Sequence, residues 1–170
     1  MTRRTFCIDT NLLIQAKKLE YAFDLAPGFW SWITSLIDAG KICCAEAVYQ
    51  EVLHHKEDDL SLWIKQIKKK FVMGDDTEDI QENFTKICQY VSLNYPKSAH
   101  LDKFLSGADP MIIAHAMTNG YVVVSHERRI SLPQQDSKIK IPNICDAFNV
   151  DFMDPYSFFR LFKLCLKSDN

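Results

Sequence analysis

The sequence predicts one α/β domain, a three-layer α/β/α arrangement with a central, mostly parallel sheet of four to five strands. Three observations lead to this. Short apolar runs such as Phe6-Cys7-Ile8 and Tyr121-Val122-Val123-Val124 alternate along the chain with helical patterns. These runs lack polar alternation, as strands buried on both faces of a parallel sheet do. The 170 residues are enough for one sizeable core, and with 5 Gly and 6 Pro no stretch reads as a linker, so residues 1–170 form a single domain.

The elements follow in order. Thr5 to Ile8 is a short strand ending on Asp9-Thr10-Asn11, and a helix continues through Leu12, Leu13 and Ala16. Phe29, Ile33, Leu36 and Ile37 recur at helical spacing, with Trp30 and Trp32 alongside, until Gly40 stops the helix. Lys41 to Ala45 is a buried strand, and Ala47, Val48 and Val52 form the inner face of the helix after it. Leu60, Trp63, Ile64, Ile67 and Phe71 line one side of a helix whose other side carries Lys65, Lys68, Lys69 and Lys70; Gly74-Asp75-Asp76 breaks it. A helix from about Thr77 to Tyr95 places Ile80, Phe84, Ile87 and Val91 together and ends at Pro96. These helices constitute an insertion around residues 57–105. Asp109-Pro110 reads as the N-cap and first-turn proline of a helix that Gly120 ends, and residues 121–125 are a central strand. The segment from Lys138 reads as a strand or extended segment, followed by a short helix, an edge strand at Asp151–Met153 and an amphipathic helix. Phe158, Phe159, Leu161 and Phe162 on that last helix suit a core or an interface.

Composition excludes several classes. No apolar run approaches the roughly 20 residues of a membrane helix, and Asp9 interrupts the apolar stretch behind Arg3-Arg4, so neither a membrane partner nor a secretory leader is expected. The six cysteines include no Cys-x-x-Cys pair and mostly sit in apolar segments, which suits free buried thiols in a cytoplasmic protein. A net charge of −2 gives no global drive toward nucleic acid, so polyanion binding needs a local patch.

Ligands of parallel α/β sheets bind beyond the carboxyl ends of the strands. Asp9 is the first polar residue after the first strand, and Glu127 lies two residues after the strand 121–125. Asp109 begins the helix feeding that strand, and Glu51 borders the buried face of its helix, one turn from Ala47 and Val48. These four carboxylates can converge on one pocket. Converging carboxylates repel each other unless a cation neutralises them, and an all-oxygen set suits Mg²⁺ or Mn²⁺. Such a centre supports phosphodiester hydrolysis. Glu46 is the rival of Glu51 for its place.

The same residues carry a family resemblance that spans nearly the whole chain. "CIDTNLLI" resembles the opening of PIN domains, "VYQEV" their second acidic motif, "GADPMIIAHA" the third and "YVVVSHE" the fourth. With its "FW-W", "FLSGADP" and "KIPNIC" segments the chain is similar to a bacterial PIN-like subgroup related to VapC toxins. The resemblance implies a Mg²⁺- or Mn²⁺-dependent endoribonuclease, with Asp9, Glu51, Asp109 and Glu127 as catalytic metal ligands. It also implies an RNA substrate, an antitoxin protein as partner and a homodimer. The fourth acid is often Asp in this superfamily, and Glu127 departs from that. A catalytically silent PIN-like module that binds RNA or a partner protein is the alternative. A phosphotransferase with Asp9 as nucleophile is weaker, because Asp9-Thr10-Asn11 lacks the second Asp of haloacid-dehalogenase-like enzymes.

Around the acids, Asn11, Ser125 and His126 are candidates for orienting them, or else turn and cap residues. Arg128, Arg129, Lys65, Lys68 and Lys69 are candidates for phosphate contact, against the ordinary reading of solvated charge. His115 is expected to be a packed core histidine, and the tryptophans core residues. Zinc through Glu51, His54 and His55 lacks a further ligand.

Overall fold

The computed structural model of the protein describes residues 4–54 and 57–166, so His55 lies outside the described residues. Five parallel strands form one sheet in the order β3-β2-β1-β4-β5. They are β1 (Phe6–Ile8), β2 (Ile42–Ala45), β3 (Val72–Met73), β4 (Val122–Val124) and β5 (Phe152–Met153). In the centre, Cys7 pairs with Cys43 on one side and Val123 on the other, and Ile8 pairs with Val124. Strand order reverses at β1, because β2 and β3 build outward on one side and β4 and β5 on the other. The crevice beyond the carboxyl ends of β1 and β4 is therefore the topological switch point where this class of sheet binds ligands.

The helices are α1 (Thr10–Lys18), α2 (Pro27–Asp38), α3 (Glu46–His54), α4 (Asp59–Phe71), α5 (Glu78–Asn94), α6 (Leu101–Ser106), α7 (Asp109–Asn119), α8 (Ile141–Ala147) and α9 (Pro155–Leu161). Helix α7 lies on the sheet against β1, β2 and β4, with α5 and α8 packed on it. This central place explains why α7 is apolar nearly all round, from Pro110 to Ala116. Helices α2, α4 and α9 cover the other face. There Phe158 meets the Phe6 ring edge-on at 5.3 Å, and Phe159 meets Phe29 at 5.7 Å. The last helix thus belongs largely to the core, with Leu161 left exposed. Trp30 is buried and Trp63 packs on it at 5.0 Å, as expected of core tryptophans.

Local chemistry sets the boundaries. Asp58 and Ser61 form a reciprocal capping box at the start of α4, at 2.9 and 3.0 Å. Gly40 and Gly120 adopt φ of +63° and +67° behind α2 and α7, where a side chain would be strained. The amides of Glu46 and Ala47 at the start of α3 donate to the Asp75 carboxylate at 3.0 and 2.9 Å. The same carboxylate holds the Nε2 of buried His115 at 2.7 Å. All six cysteines are free, and burial pushes the thiol of Cys145 up to about 12.

Four details differ from expectation. The insertion contains β3, which follows α4 without a break and is hidden in sequence by the helical pattern ending at Phe71. It also contains α6, too short at 6 residues to show a period. Residues 138–140 join no strand, because β4 is already flanked by β1 and β5. Asp109 does not cap α7. It is the first helical residue, and the neighbouring Ala108 amide is taken by Glu51 instead.

Candidate active site

The four acids come from four elements. Asp9 follows β1 directly and is 1% exposed. It does cap α1, accepting from the Asn11 amide at 3.3 Å through Oδ1. Its Oδ2 accepts from the hydroxyl of buried Ser125 at 2.6 Å. Ser125 Oγ in turn accepts from the Glu127 amide at 3.2 Å, which ties the exits of β1 and β4 together. Ser125 therefore touches Asp9 through its hydroxyl, and Asn11 through its backbone amide as a residue of the capped first turn.

Glu51 reaches from α3 across the mouth of the crevice. Its Oε2 accepts from Thr10 Oγ1 at 2.6 Å and its Oε1 from the Ala108 amide at 2.8 Å. A Cβ on Gly107 would stand 3.4 Å from Glu51 Oε1 and 3.1 Å from the Lys103 carbonyl, so glycine there leaves the carboxylate its path. Glu46 points elsewhere, accepting from Gln50 and Lys68 at 2.8 and 3.3 Å. Of the two rivals, the cleft contains Glu51.

Asp109 is half-buried, and no donor bonds to its carboxylate among the described residues. Glu127 is held at both oxygens, by Lys140 Nζ and the Ile141 amide, each at 2.7 Å. Asp109 and Glu127 share a cleft of about 530 Å³ with Asn11, Glu51, Lys103 and Lys140.

The electrostatics follow from this crowding. Burial, with the charges of Asp9, Glu127 and Glu51 behind it, pushes the Asp109 carboxyl up to about 8 against the opposing pull of Lys140. Burial raises Asp9 to about 6, while Ser125 and the Asn11 amide pull it back down. Asp109, which lines the cleft, and buried Asp9, which does not, are both held above the ordinary carboxyl range, which marks a place where positive charge is missing. Among the described residues, no three His, Cys, Asp or Glu side chains converge closely enough to enclose a metal ion. The donor set instead fits a partly hydrated hard cation, since Mg²⁺ keeps several waters and takes one or two carboxylates. Asp109 and Asp9 are the residues that could hold it.

The remaining candidates lie apart from the acids. His126 is half-buried against Tyr156, with ring centres 6.1 Å apart, and burial lowers its pKa. It does not line the cleft. Arg129 is committed to Asp146 through two bonds at 2.8 and 2.9 Å, and Arg128 is exposed. On α4, Lys65 pairs with Glu57 and Lys68 with Glu46, while Lys69 is exposed; none of the three borders the cleft. The cations that do border it are Lys103, Lys138 and Lys140, with His100 beside them. Sequence reasoning missed these because Lys103 lies on a helix too short to show a period, and Lys138 and Lys140 lie in a loop that carries none. Thr10 had a usable signal, a polar side chain following Asp9 at the start of an apolar helix.

The fold compares with known structures. VapBC2 from Rickettsia felis, in a crystal bound to a DNA fragment from their promoter, superposes with a TM-score of 0.51 at 11% identity, over 88% of this chain and 98% of that one. FitAcB from Neisseria gonorrhoeae superposes with a TM-score of 0.52 at 15% identity, over 89% of this chain and 99% of that one. The fold is accordingly the PIN-like α/β/α fold. No protein of curated function matches the sequence. The family described as "Domain of unknown function (DUF4411)" matches residues 6–165, and the chain belongs to it.

Proposed function

We propose that the protein is a Mg²⁺- or Mn²⁺-dependent endoribonuclease. The observation that carries this reading is Asp109, a half-buried carboxylate with no donor among the described residues, raised to about 8 beside Asp9, Glu51 and Glu127. When bound, a divalent ion lowers the pKa of an attacking water and stabilises the leaving oxygen. The chain's own residues do the rest. Asp109 and Asp9 would hold the cation, and Ser125 and the Asn11 amide fix the angle of Asp9. Glu51, anchored by Thr10 and Ala108, holds negative charge at the cleft mouth. Asp9→Asn should lower cleavage of a labelled single-stranded RNA by about 10²–10³-fold while leaving the circular dichroism spectrum unchanged. An unchanged rate in that variant would sink the reading.

The substrate's phosphates meet the cleft rim. Lys103 and Lys138 form no ion pair among the described residues, whereas Lys65 and Lys68 on α4 are paired with acids. Lys103→Gln with Lys138→Gln should reduce the slope of log K against log salt for single-stranded RNA by about 1.4, because each lost contact on a single strand costs about 0.7. Lys65→Gln with Lys69→Gln should leave the slope as it is. The opposite pattern in a filter-binding titration would return RNA contact to α4.

As the resemblance to VapC toxins implies, the activity belongs to a toxin whose partner is an antitoxin protein, in a homodimer. The ion pair of Glu127 with Lys140 favours one second reading, a silent module that binds RNA or a partner without cutting. Calorimetric titration with Mn²⁺ separates the two, since the silent module takes up no ion at millimolar concentration.

A further inference from the structure

Asp9 and Glu51 are held at both oxygens by neutral donors, whereas Glu127 is the one of the four carboxylates that meets a cation among the described residues. Two consecutive residues clamp it, Lys140 Nζ on Oε1 and the Ile141 amide on Oε2, both at 2.7 Å. Ion pairs on an open surface form and break easily. This one is built in, with side chains 28% and 17% exposed. The loop leading from Glu127 to Lys140 is also tied down. The Ile130 amide donates to Asn143 Oδ1 at 2.9 Å, and Asn143 Nδ2 donates back to the Ile130 carbonyl at 2.8 Å. Arg129 grips Asp146 through two further bonds. These bonds hold the loop, and with it the backbone of Lys140, in place beside Glu127. Asp109 lines the same cleft, and no donor bonds to its carboxylate among the described residues.

From this we infer that Lys140 is a fixed cation occupying the place a second divalent ion would take, so that the site binds one ion, beside Asp9 and Asp109. The inference rests on the metal-dependent reading above. A dication brought to Glu127 meets an ammonium already in contact with it and must displace it. An ammonium has three N–H donors, and Glu127 uses one of them. Because Lys140 lines the cleft, the others are available to a phosphate oxygen of the RNA. Lys140 then serves the reaction at two points, holding Glu127 in position and meeting the charge that develops on the phosphate. The departure of the fourth acid from Asp to Glu fits this arrangement, since the longer side chain reaches Lys140 and the Ile141 amide together.

The test is a calorimetric titration of Mn²⁺ into the full chain, with RNA cleavage measured in parallel, for wild type, Lys140→Met and Lys140→Arg. One ion per chain is expected for wild type and Lys140→Arg. Lys140→Met should take up two, the second about tenfold weaker, and cleave about 10²-fold more slowly. Two ions on wild type with cleavage intact would overturn the fixed cation and leave the nuclease reading standing. One ion on Lys140→Met with unchanged cleavage would do the same. No ion on wild type together with no cleavage would overturn the nuclease reading itself. The wild-type stoichiometry decides the matter even where Lys140→Met fails to fold, which circular dichroism detects.

Discussion

Asp109→Asn is expected to raise the melting temperature of the metal-free protein at pH 8.5 while reducing RNA cleavage by about 10³-fold. The two effects share one cause. Asp109 rises from an ordinary 3.8 to about 8 in the folded chain, first because it is buried and then because Asp9, Glu127 and Glu51 surround it. Below pH 3.8 the carboxyl is protonated in both folded and unfolded chains and costs nothing. Between 3.8 and 8 the unfolded chain has released the proton that the folded chain retains, so stability falls as pH rises. Above 8 the full cost is present. Asparagine has no charge to lose, so the variant escapes this slope and should gain about 1–3 kcal/mol at pH 8.5, less than the whole shift because one side of the carboxyl stays near water. For a domain of this size each kcal/mol is worth about 2–4 °C.

The metal dependence has the opposite sign. A cation requires the ionised carboxylate, so Mn²⁺ should stabilise wild type far more at pH 8.5 than at pH 5.5. It should do little for Asp109→Asn at either pH. Thermal melts of both proteins, with and without Mn²⁺ at the two pH values, test both statements. A variant less stable than wild type at pH 8.5 without metal would mean that Asp109 is not under electrostatic strain.

Sequence made Asp9, Asp109 and Glu127 legible because each sits at a fixed remove from a strand or helix end, and the rule that places ligands beyond strand carboxyl ends does the rest. It named Glu51 and left Glu46 as its rival. Five residues apart on a helix, they face in different directions, and which direction meets the cleft depends on how α3 packs. The structure turns Glu46 toward Lys68 and Glu51 toward Thr10 and Ala108. Lys140 was illegible for a different reason. It approaches Glu127 across a 13-residue separation, through a loop whose path is set by Asn143 and Asp146. Arg129 looked like a phosphate contact for the same reason in reverse, since its partner Asp146 lies 17 residues away. The large periodic elements were readable, whereas β3 and α6 were too short to carry a period of their own.

Asp75 is the residue whose importance the sequence concealed most completely, and Asp75→Ala should destabilise the fold strongly. It reads as part of a Gly-Asp-Asp break, yet its carboxylate performs three tasks at once. Oδ1 takes the Glu46 amide and the Nε2 of His115, and Oδ2 takes the Ala47 amide. Removing it uncaps α3 and leaves His115 without a partner at either ring nitrogen, since Nδ1 already has none. A lost cap costs about 0.5–2 kcal/mol and an unsatisfied buried polar group about 1–3 kcal/mol. The sum of roughly 2–5 kcal/mol should appear as a lower urea midpoint with an unchanged slope. Asp76→Ala, next door and exposed, should move the midpoint by less than about 0.5 kcal/mol. The consequence extends to the site, because α3 carries Glu51. A helix freed at its first turn holds Glu51 less firmly against Thr10 and the Ala108 amide, so Mn²⁺ binding should weaken in Asp75→Ala even at temperatures where the fold is intact. Equal stability of the two alanine variants would remove Asp75 from this role.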